Sequence, residues 1–158
     1  MKQKHFYFLL AFAFFGMLKN FAQTCPANFD GKSFEVIKNE IQKHQGETVA
    51  FDGEVLEIMK GYNDIPYFSI RLENGDELWI SSLVSDKYVV KGAKLRLLGY
   101  IEMVASDDEI ARQYNTAGYH IRVFAILDHV TKQIQMSNAF QAEIKVWLSG
   151  KIPPDLKH

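Results

Sequence analysis

The sequence predicts one mostly β domain, a small five-stranded Greek-key barrel over about residues 48–130, flanked by amphipathic helices at about 33–45 and 138–149. Three observations predict it. Four strand-like runs, GETVAFDGEVLEI, PYFSIRL, DELWIS and VVKGAKLRLLGYIEMV, fill the stretch up to Val104, with Gly inside them or at their joints. Asn74-Gly75 stands between two alternating runs, the strongest short-range hairpin signal. Gly53 interrupts the alternation of the first run, where a barrel's first strand must bend to pair on both sides.

Taken in order, Asp30 or Ser33 caps a helix whose apolar residues Phe34, Ile37 and Ile41 recur at helical spacing, and Gly46 stands just past its end. Lys38, Glu40 and Lys43 fall on its other faces as a solvated surface. The first strand carries Val49, Phe51, Val55 and Ile58 as its apolar residues. In the second, Phe68, Ile70 and Leu72 face inward, with Tyr67, Ser69 and Arg71 outward. The third returns antiparallel, Leu78 and Ile80 inward, Glu77, Trp79 and Ser81 outward. Ser82–Lys91 is irregular, with room for a single helical turn before Gly92. The fourth strand sets Leu95, Leu97, Gly99, Ile101 and Met103 inside, opposite Lys94, Arg96, Leu98, Tyr100 and Glu102. Ser106 and Glu109 have the spacing of a capping box for a short helix reaching about Tyr114 and ending near Gly118. A fifth strand, His120–Val130, places Ile121, Val123, Ala125 and Leu127 on one side. Ser137 then caps a helix bearing Phe140, Ile144, Trp147 and Leu148, which Gly150 and Pro153-Pro154 stop.

Residues 1–22 have the layout of a secretory signal peptide: a basic start, an apolar run from Phe6 to Phe15 extending to Leu18, and small Ala22 before Gln23. The run stops at Lys19, short of the roughly 20 apolar residues a spanning helix needs. Residues 23–158 are therefore expected as a single exported domain, periplasmic or extracellular, with no transmembrane segment once the signal is removed. Cys25 is the only cysteine, so no internal disulfide is expected. Thr24 directly before it fits a lipoprotein signal poorly, which ranks lipid anchoring at Cys25 below a soluble exported form. The chain has 18 basic and 19 acidic residues, and Lys2, Lys4 and Lys19 fall in the first 22, which hold no acid. The remaining domain carries a net charge near −4, a poor electrostatic trap for phosphate backbones.

The runs HQGETVAFDGEVLEI, YFSIRLENGDELWISS and VVKGAKLRLLGYIE together resemble the OB-fold, and in rhythm they are similar to exported bacterial OB-fold proteins within the nucleic-acid-binding-type superfamily. The resemblance covers about Thr48 to Val130. It departs from the usual pattern in its helix, which belongs between the third and fourth strands, whereas the better helix signals here lie outside the barrel and after the fourth strand. The resemblance implies ligand binding on the outer face of the second and third strands and the flanking loops.

On that face the sequence places Tyr67, Ser69, Arg71 and Trp79. Two aromatics beside a guanidinium can stack on a flat base or a sugar face, and Ser69 would add a hydrogen bond. The competing reading lays the C-terminal or N-terminal helix across this face and buries Trp79 against Phe140 or Trp147. His44, His120, His129 and His158 lack metal-ligand spacing and read as scattered surface histidines. Asp107, Asp108 and Glu109 fit a helix dipole better than a calcium loop. Asp52 and Glu54 read as solvated acids on the outer face of the first strand. No nucleophile motif or phosphate loop is present, and Cys25 is expected in a flexible N-terminus, so no catalytic residue, metal or cofactor is assigned. The expected function is an exported, non-catalytic binding or interaction module using a barrel face. A single-stranded nucleic-acid or oligosaccharide binder and an envelope protein-interaction subunit are the alternatives; the ligand or envelope partner is unassigned, and the acidic charge disfavours nucleic acid.

Overall fold

A computed structural model describes residues 26–27, 40–61, 64–87, 89–115 and 118–156. Its strands are β1 (Thr48–Lys60), β2 (Pro66–Arg71), β3 (Glu77–Ser82), β4 (Lys94–Met103), β5 (Tyr119–Asp128) and β6 (Ile134–Met136). Its helices are α1 (Glu109–Tyr114) and α2 (Gln141–Leu148). The strands hydrogen-bond in the order β3-β2-β1-β4-β5-β6, and a parallel β3–β5 pairing closes the first five into a barrel. This is the OB-like architecture that the sequence pattern predicts.

Closure depends on β1, which pairs with β4 through Thr48–Glu54 and with β2 through Glu54–Lys60. Gly53 sits at the changeover, and a Cβ there would collide with the Ile70 side chain. Only a residue without a side chain lets β1 turn so tightly against β2. The β2–β3 hairpin forms as expected: Leu72 N–H donates to the Asp76 carbonyl at 2.8 Å, and Gly75 takes the left-handed φ of 88° that the turn requires. Inside the barrel, Val49, Phe51, Val55, Phe68, Ile70, Ile80, Leu95, Leu97 and Ile101 are buried together as the alternation predicts, with two departures: the register of β1 shifts between Val55 and Glu57, so Ile58 joins the core in place of Glu57, and Met103, expected inside, stands at the end of β4 with 64 % exposure.

β5 breaks it. Leu98 faces Ala125 but Gly99 faces Val123, so Phe124 is an extra residue opposite β4. Past this bulge the alternation reverses. Ile126, not Ala125 or Leu127, joins Ile121 and Val123 inside, while Phe124, Ala125 and Leu127 line a second core outside the barrel. Gly99 marks the same irregularity, since a Cβ there would stand 2.6 Å from the Arg122 carbonyl oxygen. β5 also ends at Asp128 rather than Val130. The Asp128 carboxylate accepts the N–H groups of Val130 and Thr131, both at 2.7 Å, and turns the chain into β6, which the sequence pattern did not indicate.

The outer core is roofed by the C-terminal segment. Ser137 caps a 3-10 turn, Asn138–Phe140, that leads into α2. The expected stripe of Phe140, Ile144, Trp147 and Leu148 packs on Ala50, Leu98, Tyr100 and Phe124. Phe140 stacks on Phe124 at 4.4 Å. Trp147 Nε1 donates to the Ala27 carbonyl at 2.7 Å, and Ala27 N–H donates back to the Trp147 carbonyl at 3.2 Å. Pro26 and Ala27 are thus docked, contrary to the flexible N-terminus expected around Cys25; Cys25 itself lies outside the described residues.

Three helix expectations change. Most of the 33–45 helix falls outside the described residues, and its described end is a 3-10 turn, Ile41–His44, followed by Gly46 at φ 80°. The described residues of Ser82–Lys91 form turns, not a helix. α1 is capped by Asp108 rather than Ser106: the Asp108 carboxylate accepts from Ala111 N–H at 2.9 Å. Among the described residues, no helix is long and apolar enough to cross a membrane.

Candidate functional site

The outward-facing residues of β2 and β3 lie as the alternation predicts, but their face is covered. Tyr67 and Ser69 are buried. Trp79 is half-buried, its ring stacked on Tyr114 of α1 at 4.3 Å. Arg71 alone of the four projects into solvent, 48 % exposed, with Nη2 3.2 Å from Glu77. The C-terminal helix is not the cover. The connection between β4 and β5 folds back, and Val104, Ile110 and Ala111 pack against Tyr67, Met59, Ile65 and Trp79, while Phe140 and Trp147 belong to the opposite core.

One polar contact latches this cover. The Tyr67 hydroxyl donates to the Asp108 carboxylate, the same group that caps α1. Burial, then the bond to Asp108, pushes the Tyr67 hydroxyl far above its ordinary pKa, so it remains a donor at every working pH. Tyr67→Phe removes this donor from a buried carboxylate and is expected to cost about 1–3 kcal/mol. Hydrogen exchange would show the loss as faster exchange of the Ala111 and Arg112 amides, with the inner-barrel amides of β1 changing far less.

Beside Tyr67 the covered face is polar. The pairing register runs Tyr67 to Ser81 to Arg122 to Tyr100, with His120 paired to Glu102 one step along. Glu102 accepts from Arg122 Nε at 2.5 Å and lies 3.0 Å from His120 Nε2. Burial alone raises the Glu102 pKa, but the His120 bond and the Arg122 guanidinium outweigh it and hold the carboxyl at about 2. Burial and then the Glu102 charge push the Tyr100 hydroxyl up to about 12. His120 is therefore not the surface histidine that its spacing suggested; its side chain is fully buried. Among the described residues, its Nδ1 and the Ser81 hydroxyl have no protein partner.

An open site lies elsewhere, where β1 passes from β4 to β2. A cleft of about 280 Å³ is lined there by residues that include Asp52, Glu54, Arg71, Glu73, Lys94 and His129, together with Leu72 and Leu95, which are buried in the barrel core. Asp52 is not the solvated acid expected. Arg96 grips it in bidentate fashion at 2.7 and 2.8 Å, and His129 Nε2 lies 3.2 Å away. Burial opposes ionisation of Asp52, yet these bonds prevail and lower its pKa. Arg96 also donates to the Pro26 carbonyl at 2.8 Å, tying the N-terminal segment to the wall of the cleft. Glu54 stands directly across from Arg71 on one side and Lys94 on the other.

His44, His120 and His129 face Glu47, Glu102 and Asp52 respectively, each an ion-pair geometry. Among the described residues, no group of three or more His, Cys, Asp or Glu side chains is arranged to hold a metal ion. No family model matches this chain, and neither a curated protein nor a solved structure does. The likeness to the OB-fold rests on strand order and closure alone.

Proposed function

We propose that this protein is an exported, non-catalytic binding module that seats a small polar ligand in the cleft at the bend of β1. The observation that carries the reading is the cleft's wall. Ionisable residues of both signs line it, backed by the Arg96–Asp52–His129 cluster and mounted on paired strands. A concave site with a few fixed polar groups is the usual form of a ligand seat, and mounting on strands keeps its geometry. The signal-like N-terminus supports export. The stacking reading, for nucleic acid or a glycan, needs the face that α1 overlies and is opposed by the acidic charge.

Amide chemical-shift mapping with a panel of amino acids, nucleotides, simple sugars and an oligothymidylate tests this. A small polar member is expected to move the amides of Gly53, Arg71, Lys94 and His129. If instead only the oligonucleotide binds, moving β2–β3 amides with an affinity that falls steeply with salt, the cleft reading is overturned.

A further inference from the structure

We infer that the cleft at the β1 bend recognises an α-amino acid as its zwitterion. This rests on the binding-module reading and names its ligand class. Asp52 is engaged by Arg96 and His129, so it turns its charge to the protein rather than to a ligand. The other charged groups on the lining are Glu54, Glu73, Arg71 and Lys94, two of each sign. A simple anion would meet two carboxylates there, and a simple cation would meet two basic groups. A dipolar ligand meets both signs with its own opposites.

The spacing suits one amino acid. Lys94, Glu54 and Arg71 occupy one row across three adjacent strands, in the order cation, anion, cation. Directly opposed side chains start about 5 Å apart at Cβ. A ligand whose ammonium and carboxylate share one carbon can therefore bridge neighbouring members of the row. Arg71 is held to Glu77 only by a 3.2 Å contact between side chains 48 and 53 % exposed, and solvent competes strongly with such a pair. Its guanidinium can turn to a carboxylate in bidentate geometry. The volume is at the lower bound of about 300–1,000 Å³ for drug-sized ligands, which favours a molecule of few heavy atoms.

The experiment titrates the full domain with L-alanine, N-acetyl-L-alanine and L-alaninamide, following backbone amides. The acetylated probe keeps only the carboxylate, and the amide keeps only the ammonium. L-alanine is expected to shift Gly53, Glu54, Arg71 and Lys94, and each analogue to bind about ten-fold or more weakly, the loss of one charge-assisted contact. Glu54→Gln and Lys94→Ala, with amide dispersion confirming the fold, are each expected to weaken L-alanine about five-fold or more. Equal binding of either analogue overturns the inference, as does silence of these amides with L-alanine and every other amino acid of the panel at about 10 mM, a range that captures even very weak sites. If every amino acid is silent while a sugar or nucleotide of the panel moves the same amides, the zwitterion fails and the binding-module reading stands. If no probe moves them, both fall.

Discussion

Trp147→Ala is expected to lower the unfolding free energy by about 3–5 kcal/mol. Trp147 is fully buried and is the largest side chain so placed. Its removal leaves a void between α2 and the Ala50, Leu98 and Phe124 surface of the barrel. It also strips the donor from the Ala27 carbonyl, loosening the segment whose Pro26 carbonyl is held by Arg96. In a domain of this size the midpoint of thermal unfolding should fall by roughly 10–20 °C. Trp147→Phe keeps much of the volume and loses the indole donor, so it should cost markedly less, and in both variants the Ala27 amide should exchange faster. A melt of Trp147→Ala within a few degrees of the wild type would show that α2 is dispensable to the barrel.

Acid should remove a second large contribution, centred on Glu102. Its folded pKa of about 2 lies below the ordinary glutamate value near 4.5. A depressed carboxylate stabilises the fold fully above the unfolded pKa and loses that contribution as pH falls through the folded one. The window is therefore about pH 4.5 down to 2, and the loss there is about 2–3 kcal/mol for a side chain mostly shielded from solvent. Asp52, lowered by Arg96 and His129 against the opposing effect of burial, adds to the same acid limb with the same sign. Glu102→Gln leaves Arg122 and His120 without their shared carboxylate. It should cost about 3 kcal/mol at neutral pH, and the gap from wild type should close as pH falls from 5 to 2. Denaturant titrations at several pH values measure both. A gap that stays constant with pH would show that Glu102 acts through packing rather than charge.

The same network shows where sequence reading stops. Glu102, His120 and Arg122 belong to strands whose partners are about 20 residues distant, and Asp52 meets Arg96 and His129 from 44 and 77 residues away. Spacing within one strand says which face such a residue occupies. It cannot say which other strand supplies its partner, so His120 and Asp52 looked like solvated residues. Arg71 was legible because its outward position followed from the clean alternation of β2, and it does line the cleft. Tyr67 and Trp79 were placed on the correct face, yet α1 covers them, and no periodicity in residues 104–118 specifies which surface that connection folds over.

The sequence by itself determined the barrel: the inward residues of β1 to β4 apart from Met103, the role of Gly53 where β1 passes from β4 to β2, the turn at Asn74-Gly75 and the apolar stripe of α2. These follow from local backbone sterics and from the period of each element, which act over a few residues. The tertiary structure alone decided the bulge at Phe124, the reversed face of β5, the added strand β6, the cover over Tyr67 and Trp79, and the cleft. Each depends on which distant segments meet, and burial and charge pairing choose among meetings that local preference leaves equal.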